Sequence, residues 1–148
     1  MRTKARISDA PMRRAVGWVA VAGGGLVALF WLVYFATGAA LGQGDPRVAA
    51  YEAAFPLADA GFAAALLLAG YCLVRGYAPG PFLLVGAAAI SIYLGLLDLT
   101  FYAGHGWYGR LSPAVMLELG VNAACVGGGL LGLRAGWRFW RTDVAPIR

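Results

Sequence analysis

Asp59, Asp98 and Glu118 are three of only seven acidic residues in the chain, and each is embedded in a stretch that is otherwise almost wholly apolar. Carboxyl groups in such settings hold protons, bind cations, pair with amines, or divide the roles of acid and base. One carboxylate in a membrane span costs roughly 2.5–3.5 kcal/mol on the insertion scale, so each is first a functional candidate. Residues three, four or seven apart share a helix face, which gives each acid polar company. Glu52 and Pro56 lie with Asp59. Ser91, Gly95 and Tyr102 lie with Asp98, and His105 joins them if the helix persists that far. Asn122 and Cys125 lie with Glu118, while Tyr34 and Thr37 on the first span reach a similar depth. The candidate ligand- or proton-binding set is therefore Asp59, Asp98, Glu118, Asn122, Tyr102, Glu52, His105 and Tyr34. Two segments, Tyr51 to Asp59 and Leu96 to Tyr102, mix acids with aromatics and read as motif-like.

Other chemistries find little support. The sole histidine, His105, cannot supply paired haem ligands, and no soft-metal cluster is present. Cys72 and Cys125 form no Cys-x-x-Cys pattern; helical rise sets them about 32 Å and about 18 Å from the same boundary, too mismatched for a disulfide. Gly23-Gly24-Gly25 lacks the strand, lysine and hydroxyl of a phosphate loop. No resident cofactor or metal is expected, and no nucleophile is evident.

The elements that must position the acids follow from composition. With 148 residues, 61% hydrophobic and 13% charged, the chain reads as one small all-α integral membrane domain. Four spans are expected at about 15–41, 49–74, 82–103 and 113–133, each near the 20 residues needed to cross about 30 Å. A basic segment, 1–14, precedes them and an amphipathic basic tail, 136–148, follows. Ala15 to Gly44 contains no charge, too long a run for a signal-peptide core, so the first span is expected to be an uncleaved anchor. Asp9 and Pro11 mark a helix start, as do Asp45-Pro46 and Ser112-Pro113. Pro56 is expected to kink a second helix running from Pro46 to about Val74. Arg75 to Pro81 reads as a tight turn.

Short links make neighbouring spans antiparallel. Arg2, Lys4, Arg6, Arg13, Arg14, Arg75, Arg134, Arg138, Arg141 and Arg148 then fall on one side, and only Arg47 and Arg110 on the other. The positive-inside rule makes both termini cytoplasmic in a plasma, bacterial inner-type membrane. Counting helical rise, Asp59 lies about 12 Å below the opposite boundary, and Asp98 and Glu118 about 8 Å. The expectation is an antiparallel four-transmembrane-helix bundle with an acidic cavity open to the outside. Arg47 and Arg110 are on the acid side as possible partners, but two arginines cannot neutralise Glu52, Asp59, Asp98 and Glu118.

Gly120, Ala124, Gly128, Gly132 and Gly136 form a ladder spaced by four, and Ala20-Gly24-Ala28 and Ala87-Ser91-Gly95 repeat it. Such faces let helices approach closely within a bundle or between protomers. The expected partners are the lipid bilayer and, through these glycine-rich faces, a second copy or a membrane complex. Nucleic acid is not among them, since the basic residues cluster at span ends, beside Trp137 and Trp140 in the tail, where they meet headgroups. Three functions fit. The first is binding or transport of a proton, cation or amine-bearing, lipid-like molecule. The second is an accessory or structural subunit, and the third an intramembrane acid–base isomerase or cyclase, which lacks an identifiable nucleophile or cofactor.

Overall fold

The computed structural model describes residues 2–38, 46–109 and 112–144, with side chains over 10–38, 46–109 and 112–142. Five α-helices follow in order: α1 (Arg2–Thr37), α2 (Pro46–Glu52), α3 (Pro56–Arg75), α4 (Gly80–Gly104) and α5 (Pro113–Val144), with a short 3-10 turn at Trp107–Gly109. Segments of α1, α3, α4 and α5 are long and apolar enough to cross a membrane, which fits a multi-pass membrane protein.

Two boundaries follow local chemistry. Gly76 adopts φ 72°, and its N–H and that of Tyr77 reach the carbonyls of Leu73 and Cys72, satisfying groups that the end of α3 leaves open. Ser112 Oγ accepts the N–H of Val115 at 3.3 Å and caps α5. Other boundaries depart from expectation. α1 runs helically through Pro11, so Asp9-Pro11 does not start it; proline forfeits one hydrogen bond, and the remaining ladder continues. The expected single kinked helix from Pro46 is instead two helices. Pro56 has no N–H to give the Glu52 carbonyl, so Phe55 N–H takes that carbonyl at 3.0 Å and the chain turns before α3 begins. The span expected from residue 49 therefore starts at Pro56. Asp45 and the end of the first expected span, 39–41, lie outside the described residues.

Glycine sets the packing. An added Cβ at Gly70 would stand 2.5 Å from the Gly17 carbonyl and 2.9 Å from Val21 N, and one at Gly24 would stand 2.9 Å from the Ala63 carbonyl. The backbones of α1 and α3 are thus in near contact. α4 and α5 are joined in the same way, with Gly95 against Cys125, Gly129 against the Ala88 carbonyl, and Gly136 against the Pro81 carbonyl. Ser91 Oγ adds a hydrogen bond to the Cys125 carbonyl at 2.9 Å. The ladder on α5 is divided. Gly132 and Gly136 meet α4, whereas a Cβ at Gly120 or Gly128 would meet nothing within 4 Å.

At one end the two pairs are tied together. Phe139 is wholly buried with Ala69, Leu73 and Leu84, and Met12, Val16, Leu83 and Ala135 pack around them. Arg13 donates to the Phe139 carbonyl at 3.2 Å and lies 5.2 Å from its ring, linking α1 to α5. We call this the basic end.

Gly70→Ala is expected to destabilise the protein by about 1–3 kcal/mol, because α1 must move to admit the methyl group. Gly61→Ala, where a Cβ meets nothing within 4 Å, should not. Reversible denaturation of both variants in mixed micelles measures the difference.

Candidate functional site

Three hydrogen bonds organise the end away from Phe139. A buried indole N–H needs an acceptor, and Trp31 Nε1 on α1 donates to Asp59 Oδ2 on α3 at 2.8 Å. Asp59 lies in the first turn of α3, where unsatisfied backbone N–H groups favour negative charge. This placement replaces the depth inferred from one continuous helix, since Asp59 is only three residues into α3.

Tyr51, on the last turn of α2, donates its hydroxyl to Asp98 Oδ1 on α4 at 2.9 Å. Its ring stacks on Phe101 at 3.7 Å with the planes 2° apart. Burial first, and then the Asp98 carboxylate, push the Tyr51 phenol well above its usual range, so it stays a donor. On α5, Asn122 Nδ2 donates to Glu118 Oε1 at 2.9 Å and lies 3.5 Å from the Tyr108 hydroxyl. Asn122 is fully buried, and its Oδ1 has no hydrogen-bond partner among the described residues.

Among the described residues, Asp59, Asp98 and Glu118 thus each take one side-chain hydrogen bond, and every such donor is neutral. Among the described residues, none of the three meets a basic side chain. A carboxylate offers about four lone-pair sites, so each retains accepting capacity.

These acids line one end of a partly open cavity of about 720 Å³, within the roughly 300–1,000 Å³ usual for small-molecule sites. Asp59, Asp98, Glu118, Glu52 and Tyr102 are all on its wall, joined by Phe30, Trp31, Tyr51 and Phe55. The remaining wall is apolar and reaches Ala15, Leu84 and Ala135 near the basic end. Among the described residues, no three His, Cys, Asp or Glu side chains are grouped to hold a metal ion. The acidic end is rich in acceptors and aromatic faces. Its complement is a cation bearing N–H donors, to which a desolvated aromatic face contributes about 0.5–2 kcal/mol.

Three candidates stand elsewhere. Asn122 is beside Glu118 but not on the wall. Tyr34 packs among Phe30, Trp31 and Phe35 and does not line the cavity. His105 is exposed: α4 ends at Gly104, and the ring turns back to the Phe101 carbonyl at 2.8 Å. Arg110 lies outside the described residues. Trp31 and Tyr51 were not among the site residues expected from sequence, although Tyr51 opens one of the two motif-like segments. A signal existed for Trp31, since an indole N–H within a span must find an acceptor.

The chain matches no protein-family model, and no match is found among curated proteins or solved structures.

A double-mutant cycle tests the first of the three bonds. Trp31→Phe should cost about 1–3 kcal/mol alone. In an Asp59→Leu background the cost should shrink, giving a coupling of about 0.5–3 kcal/mol by chemical denaturation in micelles.

Proposed function

We propose that this protein is a membrane-embedded binding protein, and by extension a transport component, whose acidic cavity takes up an amine-bearing cationic small molecule. One observation carries the reading: carboxyl groups from three long helices line a single cavity, and among the described residues their hydrogen-bond donors are all neutral. Buried charge without an opposite partner is costly, and a bound cation removes that cost. An ammonium group brings three donors, matching the acceptor sites that Trp31, Tyr51 and Asn122 leave open.

In this reading the four long helices form an antiparallel bundle in a plasma or bacterial inner-type membrane. Contact registers support it, because Gly17 meets Gly70 while Gly24 meets Ala63, and Pro81 meets Gly136 while Gly95 meets Cys125. Residue numbers rise on one helix as they fall on its neighbour. Both termini are cytoplasmic by the excess of arginine and lysine at the basic end, with exposed Trp18, Trp137 and Trp140 as interfacial anchors. The acidic end then opens outward.

A second reading has its own support. Asp98 and Glu118 line an apolar cavity in different hydrogen-bonded settings, one against a phenol and one against an amide. Unequal carboxyl groups of this kind can act as an acid–base pair on an apolar substrate. Bond rearrangement in a bound molecule would select that reading over simple binding.

The test is a titration of the purified protein in nonionic micelles with butylamine, using 1-butanol as the neutral control and following the Trp31 indole N–H by NMR. Butylamine should give a saturable shift that the alcohol does not. Glu118→Gln and Asp98→Asn should each weaken it by about tenfold, or about 1.4 kcal/mol. Equal responses to amine and alcohol, or unchanged affinity in both variants, would overturn the proposal.

A further inference from the structure

We infer that the ligand is a single-chain amphiphile, with its cationic head among Asp59, Asp98 and Glu118 and its apolar chain in the cleft between α1 and α5, entered sideways from the bilayer. The inference rests on the acidic end accepting a cationic group, and it adds the chain and the route.

The cavity is much longer than a headgroup needs. Along α4 it extends fourteen residues from Asp98 to Leu84, and along α5 seventeen residues from Glu118 to Ala135. At the helical rise these are about 21 Å and about 26 Å. Its middle is bounded by Val19 and Gly23 of α1, Leu66 of α3, Ala88 of α4, and Ala124 and Gly128 of α5. None of these side chains can hydrogen-bond water, and Ser91, also on the wall, spends its hydroxyl on the Cys125 carbonyl. An apolar chain supplies the contacts that the walls otherwise lack.

Volume and lining select the kind of occupant. About 720 Å³ is within the range of small-molecule sites, and an acidic end joined to a long apolar wall matches a single-chain amphiphile. Charge selects the head, since acids at the cavity end attract an ammonium and repel a carboxylate or phosphate. The route follows from packing: α1 is bound to α3 and α5 to α4, while α1 and α5 are joined by Arg13 and Phe139 at the basic end. Beyond that contact the cavity separates them, and in the proposed bilayer orientation this gap is the entrance.

The experiment uses the full chain in phosphatidylcholine nanodiscs and hexadecylamine carrying a diazirine at mid-chain. Peptide mapping after photolysis should place the label on the cleft faces of α1 and α5. Excess hexadecylamine should compete, and hexadecanoate should not. Gly128→Phe should cut cleft labelling by about tenfold. Gly120→Phe, on the same helix but off the cleft and also free of neighbours within 4 Å, should leave it unchanged. Label spread over lipid-facing residues such as Leu57, Tyr93 and Leu117 and insensitive to Gly128→Phe would overturn the chain assignment. Equal competition by hexadecanoate would overturn the cationic head. Butylamine titration of the same nanodiscs separates the two levels. If butylamine binds while the photoprobe labels the lipid face, the chain assignment alone falls; if butylamine does not bind, both fall.

Discussion

The architecture depends on how closely two pairs of helix backbones approach. Gly17, Gly24 and Gly70 bring α1 onto α3, and Gly95, Gly129 and Gly136 bring α4 onto α5. Lipid exerts no hydrophobic force between helices, so close packing and interhelical hydrogen bonds must hold them together. Tight pairing has a geometric consequence. With each helix turned onto its own partner, a cleft remains between α1 and α5. The knot around Phe139 ties α1 and α5 together at one end, and the cleft is what is left along the rest of their length.

The same geometry places the polar groups. Trp31, Tyr51 and Asn122 each hold an acid, and two of these bonds cross between helices. They fix the carboxyl groups in position without neutralising them. An arginine in place of any of these donors would satisfy the charge and close the site. Neutral donors orient an acid without supplying an opposite charge, which is the basis of the proposed cation site.

Much of this was legible in the sequence, and the failures have physical causes. Four apolar stretches of span length announced four long helices, and the Arg75 to Pro81 turn and Ser112-Pro113 marked boundaries that the structure keeps. The convergence of Asp59, Asp98 and Glu118 on one cavity wall followed from counting helical rise, although the count for Asp59 assumed a helix that breaks. His105 was expected on the cavity face, but α4 ends one residue earlier. The α5 ladder divides for a geometric reason. Four residues advance a helix by about 400°, so a spacing of four drifts about 40° per step. From Gly120 to Gly136 the drift accumulates to nearly half a turn, which sends Gly136 against α4 and leaves Gly120 without neighbours. Spacing identified the small residues but not which partner each would face.

Pro56 shows how a local rule is completed by tertiary contacts. Its missing N–H makes an irregularity certain, and a kink and a break are both compatible with that loss. What holds α2 away from the line of α3 is Tyr51, stacked on Phe101 and hydrogen-bonded to Asp98. The break is therefore part of the site's construction. It turns Tyr51 back over α4, brings buried Glu52 to the cavity wall, and leaves Asp59 in a first helical turn whose dipole favours its charge. A continuous helix would carry Tyr51 away from Asp98 and bury Asp59 in mid-helix, where no free N–H groups face it. The two motif-like segments, Tyr51 to Asp59 and Leu96 to Tyr102, are joined because proline interrupts one of them.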